Sequence, residues 1–108
     1  MKAFLTAALL FVAGVAQATT YTGTVQRVQA QASPTTSGNV RISIYVGATT
    51  SCAGTGWYAF DLPGGGLGSV WDAIVLAAVT GGTQVAILGT GTCDAYSIEG
   101  VTYITALP

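Results

Sequence analysis

Apart from its hydroxyls, the chain has a short inventory of side chains that could do chemistry. These are the carboxylates Asp61, Asp72, Asp94 and Glu99, the cations Lys2, Arg27 and Arg41, and the thiols of Cys52 and Cys93, with no histidine anywhere in 108 residues. Histidine is the usual general base near neutral pH and the commonest metal ligand, so its absence removes much of acid/base and metal chemistry. A serine nucleophile needs a base beside it, and residues 19–108 contain neither His nor Lys to pair with Ser33, Ser51, Ser69 or Ser97. Those serines read as turn and cap residues. Two carboxylates suffice for glycoside hydrolysis, with Asp94 and Glu99 the pair to consider, but so short a domain would also have to build the cleft. The four acids read more simply as turn, cap and solvating groups, and the chain as a non-enzyme. Tetrahedral zinc needs more Cys or His ligands than two cysteines supply, so no metal and no cofactor is expected.

The run Pro63-Gly64-Gly65-Gly66-Leu67-Gly68-Ser69 leads from a strand pattern into a helix pattern, which superficially resembles a phosphate cradle. The dinucleotide spacing would require Gly where Ser69 stands, no Lys follows to make a P-loop, and Asp72 would repel an anion. The expectation is a flexible connection between strand and helix.

Residues 1–18 read as a secretory signal. Lys2 is followed by the uncharged stretch 3–15, and Ala16-Gln17-Ala18 places small residues where a signal peptidase looks for them. Cleavage is expected after Ala18. The apolar run is shorter than the roughly 20 residues of a membrane-spanning helix, and no later run is longer, so no membrane span is expected after cleavage. The domain would then be residues 19–108, secreted or periplasmic, with two Arg against four acids and a net charge of −2. In an exported chain of this size an even pair of cysteines implies a Cys52–Cys93 disulfide.

These residues must be positioned by a mainly β frame. Residues 21–31, rich in Thr and Val, read as a first strand, with the parity slip between Val25 and Val28 marking a bulge. Residues 32–39 collect turn formers. Val40, Ile42, Ile44 and Val46 alternate with Arg41, Ser43 and Tyr45, and Tyr58, Phe60 and Leu62 alternate with Trp57, Ala59 and Asp61, giving two strands with one apolar face each. The period then changes: Trp71, Ile74, Val75, Ala78 and Val79 form a helical stripe, with Ser69 and Asp72 placed as a capping box and Gly81-Gly82 as its end. Residues 83–88 and 96–106 complete the pattern as two strands joined through 89–94. Strand, strand, strand, helix, strand, strand predicts a small five-stranded OB-like Greek-key barrel with one α-helix between strands 3 and 4; a five-stranded meander packed on one helix would give the same order.

Two surfaces follow from that frame. If Ile42, Ile44, Tyr58 and Phe60 face the core, then Arg41, Tyr45, Trp57 and Asp61 project outward from strands two and three, as a candidate ligand-binding face. Flat rings beside hydroxyls and a few charged groups suit sugar recognition, although cross-strand packing accounts for such aromatics as well. Nucleic acid is not expected, because phosphate contacts need Lys and Arg and only Arg27 and Arg41 remain on a net acidic domain. The side of the helix away from its stripe, with Ala73, Leu76, Ala77 and Thr80, is small or apolar apart from Asp72, and is a candidate oligomer interface.

The signal segment, the paired cysteines, the element order and the stretch Ser69-Val70-Trp71 through Ala77-Ala78-Val79-Thr80-Gly81-Gly82 into Val85-Ala86-Ile87 resemble the OB-fold binding subunits of bacterial toxins that join five B subunits to one A component, the subtilase-cytotoxin type above all. The resemblance implies a pentameric homo-oligomer that binds a cell-surface glycan or glycoprotein and an exported A-type partner. No sugar-contacting residue carries over from that family. The rival expectation is a structural or assembly protein of the cell surface or envelope that takes no small ligand.

Overall fold

The computed structural model describes residues 18–108 apart from 49, 53 and 64, so the signal segment lies, except for Ala18, outside the described residues. In chain order the elements are β1 (Thr20–Thr24), β2 (Arg27–Ala32), β3 (Val40–Tyr45), β4 (Trp57–Leu62), α1 (Gly65–Gly81), β5 (Gln84–Cys93) and β6 (Glu99–Ala106). The strands form one mixed sheet in the order β1-β5-β6-β4-β3-β2. All neighbours are antiparallel except β4 and β6, which pair in parallel through Tyr58 with Glu99 and Ala59 with Gly100.

The expected single strand over 21–31 is two strands, which makes six in place of five. β1 pairs only with β5 and β2 only with β3, at opposite ends of the sheet. The parity slip marks the crossing point. Val25 turns into the core, the Gln26 amide donates to Tyr45 O at 2.9 Å, and the Gln26 side chain reaches Val46 O at 3.3 Å. The chain thus leaves β5 and joins β3 within two residues. The two edge strands are not hydrogen-bonded to each other, so the sheet is not a closed barrel.

The alternating pattern of β3 and β4 places Ile42, Ile44, Tyr58 and Phe60 in the core with Val75 and Ala78 from α1 and Val85, Ile87 and Ile104 from the last two strands. Burial of these apolar side chains is the main stabilising term, each Ile, Val and Phe contributing about 1.5–3 kcal/mol. Trp71 packs edge-on against Phe60, with ring centroids 5.4 Å apart, and Ile74 and Val79 border the same cluster. The helical stripe is therefore the face that docks.

The helix begins four residues before Ser69, however, and has no acidic residue in its first turn. Ser69 and Asp72 consequently do not cap it, and most of the glycine run is helix, not a flexible connection. Gly68 explains why: a β-carbon there would lie 2.8 Å from Leu62 Cδ2, so glycine lets the first turn press against the end of β4. At the other end Gly82 adopts φ +69° and its amide donates to Ala78 O at 2.9 Å, closing the helix as its sequence suggests.

The segment 89–94, read as a connection, is mostly strand: β5 runs to Cys93, and the turn occupies residues 94–98, with β6 starting at Glu99. Cys93 at the end of β5 is bonded to Cys52 in the turn after β3, with Cα atoms 5.5 Å apart and 41 residues of separation. Closing a loop of that size stabilises the fold by about 4 kcal/mol on the chain-entropy model. No helix among the described residues is long and apolar enough to cross a membrane.

Candidate functional site

Register brings the four outward-facing residues into two cross-strand pairs. Arg41 lies opposite Asp61, and Tyr45 opposite Trp57. The Tyr45 and Trp57 rings are 5.0 Å apart between centroids and tilted by 44°. Arg27, opposite Tyr45 on β2, places its guanidinium 5.8 Å from the Tyr45 ring centre, within cation–π range. The result is a patch of two half-buried rings and one exposed cation on the side of the sheet away from the core.

Arg41 is on the expected face but is not exposed. Its side chain is only 8% accessible because the turn after β5 folds over it. Arg41 Nε pairs with Asp61 Oδ1 at 3.4 Å, and Nη1 pairs with Asp94 Oδ2. Asp61 Oδ2 also accepts the Ser33 hydroxyl at 2.5 Å and the Thr35 hydroxyl at 3.4 Å, which fastens the loop after β2 to the same cluster. Asp94 Oδ1 accepts the amides of Tyr96 at 2.8 Å and Ile98 at 3.0 Å. Partial burial pushes the Asp94 carboxyl up, but the Ile98 amide, the Arg41 guanidinium and the Tyr96 amide together hold it below its ordinary value. Asp94 is thus both a turn residue, as its type suggests, and the second counter-ion of Arg41.

Beside this cluster opens a cavity of about 230 Å³, bordered by Arg41, Ala59, Thr92, Cys93, Asp94 and the start of β6. Ala59 sits between Trp57 and Asp61 on the same face of β4, so the ring pair stands about 7 Å along the strand from the cavity wall. Two ion-pair contacts do not exhaust the five donors of a guanidinium, and the small side chain of Ala59 leaves the floor open.

Glu99 does not solvate the surface, as its type led one to expect. It is fully buried at the end of the core. Its carboxylate accepts the Thr19 amide at 3.2 Å, the Thr19 hydroxyl at 2.8 Å, the Ser51 amide at 3.1 Å and the Gly91 amide at 3.0 Å. Burial pushes this carboxyl up, and the donors from Thr19, Ser51 and Gly91 outweigh that and hold it low. With the Thr19 hydroxyl donating to Glu99, the Tyr58 phenol is the donor in its 2.8 Å contact with Thr19 Oγ1; burial, with a further push from the Glu99 charge, raises that phenol. One local signal pointed this way: Gly89 and Gly91 alternate in step with Val85 and Ile87 toward the core, leaving space that only a partner side chain could fill. Asp94 and Glu99 both border the cavity beside Arg41 but belong to different hydrogen-bond clusters, Asp94 with Arg41 and Glu99 with Thr19, Ser51 and Gly91.

On α1, Leu76 is exposed, together with Leu67 and Val70 earlier on the helix. Ala73 and Ala77 line a shallow groove of about 460 Å³ between the helix and the ends of β5 and β6. Thr80 turns its hydroxyl back onto Leu76 O at 2.8 Å, so it presents mainly its methyl group outward. Comparison with protein-family models, curated proteins and solved structures gives no match to this chain.

Proposed function

We propose that this chain is an exported, disulfide-stapled, non-enzymatic binding module that recognises a sugar ring of a cell-surface glycan or glycoprotein. The observation that carries this reading is the Tyr45–Trp57 ring pair, on the same face of β3 and β4 as the Arg41–Asp61–Asp94 cluster and its cavity. An aromatic face packs on the C–H groups of a sugar, and fixed charged groups orient its hydroxyls. The cavity is below the ~300–1,000 Å³ of pockets for drug-sized ligands, a size that suits one small polar ring.

An OB-like frame suits the same reading. If β1 and β2 are taken as halves of one bent strand, the sheet order runs through both ends of that strand, with strands three and five parallel and the helix between strands three and four. This supports the toxin B-subunit resemblance, and with it a homo-oligomer of five copies meeting through α1 and an exported A-type partner. Exposed Leu67, Val70 and Leu76 favour a second reading as well, an envelope assembly protein whose only ligand is another protein. A glycan array probed with the folded, disulfide-intact chain separates the two. Selective hits support sugar recognition, and an array without selective hits leaves the assembly reading.

A further inference from the structure

Glu99 has no cation beside it among the described side chains. Arg41 is committed to Asp61 and Asp94, and Arg27 lies over Tyr45 on the other side of the sheet. Lys2 belongs to the segment read as a signal. A buried carboxylate with no counter-ion is costly even when amides and hydroxyls satisfy its lone pairs. Of the three backbone nitrogens that reach this carboxylate, that of Thr19, 3.2 Å from Oε2, belongs to the residue that follows the expected cleavage point.

We propose that removal of residues 1–18 creates the missing cation: the α-ammonium of Thr19 pairs with buried Glu99 and fastens the start of β1 into the end of the core. This rests on the export reading above. Hydrolysis adds water across the Ala18–Thr19 bond, leaving a carboxylate on Ala18 and a protonated amine on the nitrogen that already faces Glu99. Ala18 is exposed, so the bond leads outward and nothing need move when it is gone. Thr19 is meanwhile held by three further contacts: its carbonyl accepts the Gly89 amide at 2.8 Å, its hydroxyl donates to Glu99 Oε1, and it accepts from Tyr58. The nitrogen cannot swing away without breaking them. Charge-assisted contacts run shorter than neutral ones, so the 3.2 Å contact tightens once the amide becomes an ammonium. Gly89 is glycine because the carboxylate occupies its side-chain space, and Gly91 supplies an amide to the same oxygen. The fold is in this sense built around the processed end.

Residues 19–108 contain no Lys, so the mature chain has a single amine, and an N-hydroxysuccinimide acetyl ester reports on it alone. The full chain is expressed and exported, and the mass of the product gives its first residue. Acetylation of the native product is then compared with that of the product unfolded in guanidinium chloride at the same mildly alkaline pH. The expected result is a chain beginning at Thr19 whose amine reacts roughly tenfold or more slowly when folded. A second full-length variant, with Gly-Ser inserted between Ala18 and Thr19, is processed to a chain in which the Thr19 nitrogen is again an amide. Its Tm should fall by about 5 °C, a shift of the size that one lost interaction gives in a domain of this length, and Glu99→Gln should erase the difference between inserted and normal chains. A product starting elsewhere overturns the proposal at the cleavage step. A product starting at Thr19 whose amine reacts equally fast folded and unfolded overturns the pairing and leaves the cleavage reading standing.

Discussion

The carboxylate of Glu99 fills the space that a side chain on Gly89 would need, with Oε2 and Cδ both inside contact distance of the position a β-carbon would take. Two residues ten apart in sequence on neighbouring strands are therefore complementary in volume: glycine on β5 makes room for a buried charge on β6. Because the carboxylate is held by Thr19, Ser51 and Gly91, it cannot retreat without abandoning its donors.

Gly89→Ala should therefore cost about 3 kcal/mol, at the upper end of what overpacking costs, measured from the urea midpoint at constant m-value. A loss below about 0.5 kcal/mol, the range of ordinary surface substitutions, would mean that the carboxylate has room to move.

Acid should unfold the domain in a defined window. The carboxyls of Glu99 and Asp94 lie lower in the folded chain than in the unfolded one. Each therefore contributes stability that is fully present above the unfolded value of about 4 and is lost as pH falls through the folded value. Stability should stay level from neutral pH to about 5 and decline below that. Glu99→Gln, which also faces the raised phenol of Tyr58, should flatten the decline in a series of urea titrations; an unchanged slope would assign the acid sensitivity elsewhere.

Arg41→Ala should destabilise the fold by about 3 kcal/mol, because it strands two partly buried carboxylates opposite each other. Arg41→Lys should recover only part of this, since an ammonium cannot reproduce the forked contact with Asp61 and Asp94. Thermal unfolding of the unmodified chain and the two variants gives the ranking. Equal Tm values for the unmodified chain and the Arg41→Ala variant would show the cluster to be energetically neutral.

Trp57→Ala separates recognition from packing. Trp57 is half-buried and meets Tyr45 across the strands, a contact that contributes about 0.5–1.5 kcal/mol. Glycan binding should be lost while the free energy of unfolding, read from the urea midpoint at constant m-value, falls only by that amount. A destabilisation several times larger, with binding retained per folded molecule, would make the ring a packing group only.

Leu76→Glu should produce folded monomers. Leu76 is exposed on α1, and Val75 and Ala78 already attach the helix to the sheet, so nothing within one chain requires an apolar residue at that position. Around a cyclic axis the new charges would face one another. Light scattering at micromolar concentration reads the mass of both proteins, and a single-subunit mass for the unmodified chain removes the assembly.

The sequence by itself determined whatever depends on periodicity and on local chain stiffness. Alternation over 40–46 and 57–62 set which residues share a face, because successive side chains of a strand must point to opposite sides, and Arg41, Tyr45, Trp57 and Asp61 do share one. The stripe from Trp71 to Val79 set the docking face of α1, and Gly82 set its end. Only the tertiary structure decided three further points. The parity slip marks where the chain parts, at Val25–Gln26, but no local signal encodes that its two halves take partners, β5 and β3, at opposite ends of the sheet. Gly-Thr-Gly-Thr at 89–92 is strand and not turn, since Gly89 makes room for a carboxylate on the next strand and Gly91, at φ +79°, takes up the register shift between Gly89 and Cys93. Glu99 is buried where its type favours solvent because its donors arrive from Thr19, 80 residues away, and from Ser51, 48 residues away. Hydrogen bonds over such separations exist only once the chain has folded, and they reverse a burial preference that each residue, taken alone, would express.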